Sequence, residues 1–213
     1  MDLVIDREAI VKVALRDTAV PSSGPIPPSS WAYDDSIAVT PHDVEKAKQI
    51  MADAGFPDGF SFTLKLRPNP VEEQQGQMIQ AMAKEANIDI TIEMVEFGTL
   101  LDQMDSLEFD AIRLGWSGRV DPDGNIHPVF HTGGSINYGY SDPKMDKILS
   151  DARITSDQAE RKKLYSEATR YSKEEVPYIF IYHEIDFNAF KPHVKGFEQF
   201  PDNMMRFHKV SVQ

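Results

Sequence analysis

The chain has 213 residues, no cysteine and a formal net charge of −12. That acidity argues against nucleic acid or an anionic membrane surface as partner, since both attract basic patches, and the missing thiols exclude disulfides, thiol catalysis and cysteine metal sites. An apolar fraction of 41% with 26% charge is ordinary globular composition; no apolar run is long enough to span a bilayer, and without a basic-then-apolar opening any signal peptide is expected to be removed or to lie upstream.

From Ile5 to Leu15 the apolar residues recur at helical spacing, which predicts a helix with Ile10, Val13 and Ala14 on its inner side. Val20 to Ser30 is rich in Pro and Ser and predicts an ordered loop over the surface. At Thr40-Pro41-His42-Asp43 a helix is expected to start, with Thr40 as cap, Pro41 first in the helix and an acid in the first turn. Val44, Ala47, Met51 and Ala54 then share a face, and Gly55 ends it. Phe60, Phe62, Leu64 and Leu66 alternate with polar residues as a half-buried strand. Glu72 to Ala86 reads as a helix with Met78, Ile79, Met82 and Ala86 inward, and Ile88, Ile90, Ile92 and Met94 mark a second strand.

Further on, Phe97 to Leu107 predicts a helix and Asp110 to Leu114 a third, buried strand. Helices follow at Pro143 to Ala152 and from Gln158 to about Lys173, the latter with Thr155 and Gln158 as its capping box. Pro177 to His183 is the fourth strand. Alternating helices and strands argue for an α/β fold, a central mixed sheet flanked by helices. From Asp186 onward only short strands remain, separated by Pro192, Gly196 and Pro201. The methionines fall mostly on apolar helix faces and are expected in the core.

Four segments, in order, carry a resemblance. The first is Ile5-Asp6-Arg7-Glu8-Ala9-Ile10-Val11 with Pro25-Ile26-Pro27-Pro28 and Trp31; the second is Asp43 to Lys48 closing on Ala54-Gly55-Phe56. The third runs from Phe109-Asp110 through Gly115-Trp116 to Asp121-Pro122-Asp123; the fourth joins Tyr140-Ser141-Asp142-Pro143, Asp146, Arg161, Leu164-Tyr165 and Val176-Pro177-Tyr178. The set resembles the carboxyl-terminal part of a family 5 extracellular solute-binding protein, the dipeptide, oligopeptide and nickel receptors of ABC importers. The resemblance implies a type II periplasmic-binding-protein-like lobe over residues 1–185 and a hinge return, 186–213, that belongs to the other lobe. It implies a binding protein rather than an enzyme, working in the periplasm or anchored outside the cell. The implied partners are a peptide-like ligand, permease subunits and a missing amino-terminal lobe. Because Met1 falls inside what would be a helix of longer members, an engineered or proteolytic fragment is expected.

The candidate site is the loop after Leu114, which carries Trp116, Ser117, Arg119, Asp121 and Asp123. Open α/β sheets keep ligands beyond the carboxyl ends of their strands; the alternative is a plain turn with Trp116 packed inward. In peptide-binding relatives the Gly-Trp segment lies against the ligand, which implies that role for Trp116 and Ser117. Free-peptide receptors place an aspartate where this chain has Arg119, so an ammonium anchor gives way to a guanidinium suited to carboxylate or phosphate. Arg113 matches an arginine that some receptors aim at the ligand carboxylate, and equally fits a buried ion pair. Asp121 is expected to orient the arginines, and Asn137 and Tyr138 to approach the ligand from the lobe edge.

Rival chemistry is also legible. Asp121 and Asp123 with His127 suggest a metal-dependent or acid/base hydrolase, although Asp-Pro-Asp-Gly-Asn is equally a turn with capping side chains. It lacks the glutamate that closes an EF-hand-like calcium loop. His127 and His131, four apart, suit zinc on one helix face, but Pro128 between them tolerates only a first turn and no HExxH pattern surrounds them. No phosphate loop or nucleophile elbow is present, and no cofactor is expected.

Overall fold

Residues 1–200 and 202–213 are described in the computed structural model; Pro201, one of the expected breaks in the tail, lies outside them. Arg7–Val13 forms α1, whose start is fixed by the Asp6 carboxylate accepting the Ala9 N–H at 2.9 Å. Its inner side is Ile10, Val11 and Ala14, whereas Val13 is exposed. A helical period centred among those three leaves Val13 on the far flank, so the expected inward place passes to Val11. Ala19–Pro21 forms β1, overlapping the start of the Val20–Ser30 stretch expected to be a loop. It has order because a distant strand supplies its hydrogen bonds, as described below.

The second helix, α2, spans Val44–Asp53. Asp43 caps it in place of Thr40: its carboxylate accepts the Lys46 N–H at 2.9 Å, while its own N–H bonds Leu3 O at 2.8 Å. Thr40 and Pro41 therefore stay outside. Next come β2 (Phe60–Leu66), α3 (Pro70–Glu85), β3 (Ile88–Met94), α4 (Phe97–Asp105) and β4 (Ala111–Ile112). Here the period-two alternation does what it predicts: β2 lies between β3 and β4, with Leu64 opposite both Ile92 and Ala111. This three-stranded sheet is wholly parallel, so strands of mixed sense occur in the fold but in separate ladders. Asn69 caps α3 by accepting from Val71 and Glu72.

Beyond β4 the chain forms α5 (Asp123–Phe130), α6 (Pro143–Ile154), α7 (Gln158–Glu175), β5 (Tyr182–Glu184), β6 (Val194–Lys195) and β7 (Ser211–Val212). Thr155 closes α6, its hydroxyl bonding Asp151 O at 2.7 Å, and the cap of α7 is Asp157, which accepts from Glu160 at 2.9 Å. The expected Thr155 box fails because that residue still satisfies the preceding helix. The expected strand from Pro177 shrinks to β5, which pairs antiparallel with β1, Val20 opposite His183.

Two apolar clusters hold these elements. One lies between the parallel sheet, α1 and α3, around Ile10, Leu66, Ile79 and Ile88. The other joins α5, α6 and α7 around Ile126, Phe130, Met145, Leu149 and Tyr165. Each such fully buried side chain contributes about 1.5–3 kcal/mol. Ala111 belongs to the first cluster and Ile126 to the second. The connection between β4 and α5 is therefore anchored at both ends, and that connection is the candidate site. In the tail, β6 pairs antiparallel with β7, Val194 opposite Val212. Among the described residues no helix is long and apolar enough to cross a membrane.

Candidate ligand-binding site

The loop leaves β4 at Arg113, whose N–H continues the sheet pattern to Lys65 O at 3.1 Å. Leu114 through Asp121 are all solvent-exposed. An exposed loop is held in one shape only if its backbone groups find partners, and Asn125 provides them. Its side chain is 2% exposed; Oδ1 accepts the Arg119 N–H at 2.7 Å and Nδ2 donates to Arg119 O at 2.8 Å. The amide thus closes the two-bond ring that a neighbouring strand would make. Gly124 completes the fit, since a Cβ there would lie 2.8 Å from Arg119 Cβ and Cγ.

Trp116, Ser117 and Arg119 are brought together on the outer side. The Arg119 guanidinium stands over the indole at 4.7 Å from the ring centroid. Its Nη1 donates to the Ser117 hydroxyl at 3.0 Å and also to Ser117 O. Trp116 remains 44% exposed, so the indole is not packed into the core. A cation held on an aromatic face beside a hydroxyl is suited to an anionic or amide-bearing ligand.

Asp121 does not orient either arginine expected of it. It pairs with Arg161, 2.9 Å from Nη2, and accepts the Asp123 N–H at 2.9 Å. Burial pushes its carboxyl up, but those hydrogen bonds outweigh burial and the net shift is downward. Arg161 also reaches Ala152 O and the Tyr165 hydroxyl, so Asp121 is tied to the α6–α7 frame. Asp123 is held separately by Arg153, at 2.7 and 3.2 Å. The two acids thus face different arginines and share no proton, unlike a general acid/base pair.

Arg113 takes the ion-pair alternative. Its side chain is 12% exposed, and Nη1 lies 3.2 Å from Glu72 Oε1. Asn137 is buried, donating to Val129 O at 3.1 Å while its carbonyl accepts the Tyr178 hydroxyl at 2.7 Å. Tyr138 has a left-handed backbone, φ 48°. Burial, then Asp105, pushes its hydroxyl pKa up. Asp105 ends α4, so Tyr138 lies by the segment entering β4, whereas Trp116 lies on the segment leaving it.

His127, on α5, and His131, the extended residue that ends it, stack face to face with centroids 4.3 Å apart, and the helix runs through Pro128. Burial, then Arg153 and His131, push the His127 pKa down. Among the described residues no cluster of three or more His, Cys, Asp or Glu side chains is arranged to hold a metal ion. An open concavity of about 640 Å³ lies elsewhere, against α7, lined by Asp34, Lys144, Lys163, Arg170 and Tyr171 among others. Its Arg170 is already paired with Asp34, and Lys144 sits on Tyr171. Sequence reasoning missed Asn125, Arg161 and Glu72; only the Asp-Pro-Asp-Gly-Asn helix start hinted at the first.

The family model for bacterial extracellular solute-binding proteins, family 5 (middle part), matches residues 1–137. Heme-binding protein A of Haemophilus influenzae is 30% identical over 224 residues, covering all of this chain and 40% of its own length. HbpA2 from Haemophilus parasuis superposes with a TM-score of 0.89 at 27% identity, over all of this chain and 44% of that one. The oligopeptide-binding protein AppA from Bacillus subtilis, in complex with a nonapeptide, gives 0.84 at 27%, over all of this chain and 46% of that one. The chain thus spans 40–46% of the length of these relatives. It belongs to the bacterial extracellular solute-binding proteins of family 5.

Proposed function

We propose that the chain is the ligand-capturing lobe of a two-lobed receptor that works outside the cytoplasmic membrane, enclosing a peptide or peptide-like molecule and delivering it to a membrane permease. Residues 1–185 act as the lobe and 186–213 return toward the other one. The action is capture followed by closure about the hinge. Trp116 lies along the ligand, Ser117 supplies a hydrogen bond, and Arg119 neutralises an anionic group. Arg113 and Asp121 serve the wall at one remove, through Glu72 and Arg161.

One observation carries this reading: aromatic, hydroxyl and cationic groups stand exposed on a loop whose backbone is clamped from behind by the buried Asn125. Preorganised groups facing solvent bind without having to be ordered first. A relative solved with a nonapeptide supports a peptide-like ligand, while the relative named for haem supplies a second candidate to test.

The test is mass spectrometry of small molecules retained by the complete receptor, followed by titration of Trp116→Ala. A peptide-like molecule, weakened at least tenfold by the variant, is the expected result; losing one aromatic stacking partner of this kind is worth about 1.4 kcal/mol or more. A retained haem, seen by its visible absorption, would move the ligand class. Recovery of chemically altered ligand would point to turnover instead of capture.

A further inference from the structure

At the exits of β2 and β4 a second polar group lies beside the loop. Glu72, in the first turn of α3, is only 3% exposed. Its Oε1 accepts from Arg67 Nε at 2.7 Å, is also contacted by Arg67 Nη2, and lies 3.2 Å from Arg113 Nη1. Its Oε2 accepts the Arg67 N–H at 3.1 Å. Two guanidiniums therefore converge on a single carboxylate. Arg113 Nη2 donates to the Tyr182 hydroxyl, which lies 3.2 Å from Gln75 Nε2. Arg113 Nε is buried with no hydrogen-bond partner among the described residues. The cluster holds one positive charge more than its acid balances, and a donor to spare. Its outer edge is open, because Arg67 extends over the exposed Phe97 ring at 5.6 Å.

A fork of two arginines is how proteins hold a ligand's carboxylate. Here the protein's own carboxylate fills it. We propose that Glu72 is a specificity-determining residue: it closes the carboxylate slot between Arg67 and Arg113, so this wall refuses a ligand's acid group and leaves negative charge to be read at Arg119. A ligand carboxylate entering the slot would have to displace Glu72, leaving a buried charge unpaired, which is the costly way to break such a cluster. The inference rests on the capture reading above.

Glu72→Ala removes the carboxylate and opens a space that free acetate fills. Melting of wild type, Glu72→Ala and the filled but neutral Glu72→Gln is compared in sodium acetate and in sodium chloride of equal ionic strength. Acetate should restore several degrees to Glu72→Ala, saturably, and should do no more than chloride for the other two. If Glu72→Ala is unfolded in chloride, return of its native circular dichroism in acetate supports the slot; no return overturns it. An acetate effect no larger than that of chloride on a folded Glu72→Ala also overturns it.

Tri-alanine and its carboxyl-amide then serve as matched probes. Relative to wild type, Glu72→Ala should shift preference toward the free acid by about tenfold or more, the value of a charge-assisted contact. Unchanged preference in a rescued variant overturns the specificity role. Acetate rescue with no peptide binding in any variant keeps the slot and removes the capture reading; peptide binding without acetate rescue does the reverse.

Discussion

Neighbouring arginines in this chain have opposite duties, decided by what lies within reach of each guanidinium. Among the described residues the Arg119 guanidinium contacts its own loop, at Ser117, and the exposed Trp116 face. Arg161 joins Asp121 to Ala152 O and the buried Tyr165. Arg119→Ala should therefore weaken an anionic ligand of the complete receptor by roughly ten- to a hundredfold, since a hydrogen bond to a charged group contributes about 1.5–3 kcal/mol, while melting hardly moves. Arg161→Ala should do the opposite, lowering stability by about 1–3 kcal/mol through the buried groups it leaves unpaired. Paired melting and titration data separate them, and a large loss of stability in Arg119→Ala would refute its assignment to the ligand. Asp34 gives a residue-scale prediction in pH. The Ser36 hydroxyl above all, then the Ser36 N–H, Ser166 and Arg170, hold its carboxyl at about 2, below the ordinary 3.8, despite opposing burial. A folded-state pKa below the unfolded one means stability is fully present above 3.8 and is lost as pH falls toward about 2. Asp34→Asn should flatten that acid limb of the urea midpoint; an unchanged slope would show that the ties to Asp34 add nothing to folding.

Elements were legible where local chemistry and tertiary packing agree. The alternation in Phe60–Leu66 and Ile88–Met94 marks both strands to the residue, because a strand's period survives whatever packs on it. Helix α5 was not legible. Asp-Pro-Asp-Gly-Asn satisfies a turn as well as a helix start, and Pro128 forbids one helical hydrogen bond; burial of Ile126, Val129 and Phe130 in the second cluster overrides both. The loop's chemistry was visible in Trp116, Ser117 and Arg119, but the partners of Asp121 and Arg113 were not. Arg161 is 40 residues from Asp121 in sequence, and Glu72 is as remote from Arg113. Charge complementarity over such separations leaves no local pattern. The end of α7 shows the same limit and gives a prediction. Val176 sits there in a left-handed conformation, φ 48° and ψ 48°, which a β-branched side chain resists and glycine does not. Val176→Gly should stabilise by roughly 0.5–1 kcal/mol after the entropy of glycine is counted. A destabilised variant in chemical denaturation would mean the exposed isopropyl group matters more than the backbone.

At the scale of the molecule, what stands out is apolar surface with nothing on it. Phe187, Met204, Phe207 and Val212 are each more than half exposed, in a tail whose only described pairing is the short β6–β7 ladder. The candidate loop is open as well, with Leu114, Trp116 and Val120 exposed. Small-molecule sites normally bury about 70–90% of the ligand surface, and a single wall cannot. If the complete receptor binds at about 1 μM, its binding energy is roughly 8 kcal/mol; a wall supplying half of that leaves roughly 4 kcal/mol, or millimolar affinity. The entropy of immobilising the ligand is not halved with the contacts, so the isolated chain should be weaker still. Titration of this chain beside the two-lobed receptor with the same peptide tests the arithmetic directly. Nanomolar binding by the chain alone would mean that its loop is a complete site and that no second lobe is needed. Millimolar binding that tightens by orders of magnitude when the complementary lobe is supplied, together with protection of the 186–213 amides from exchange, is the outcome expected of a divided site.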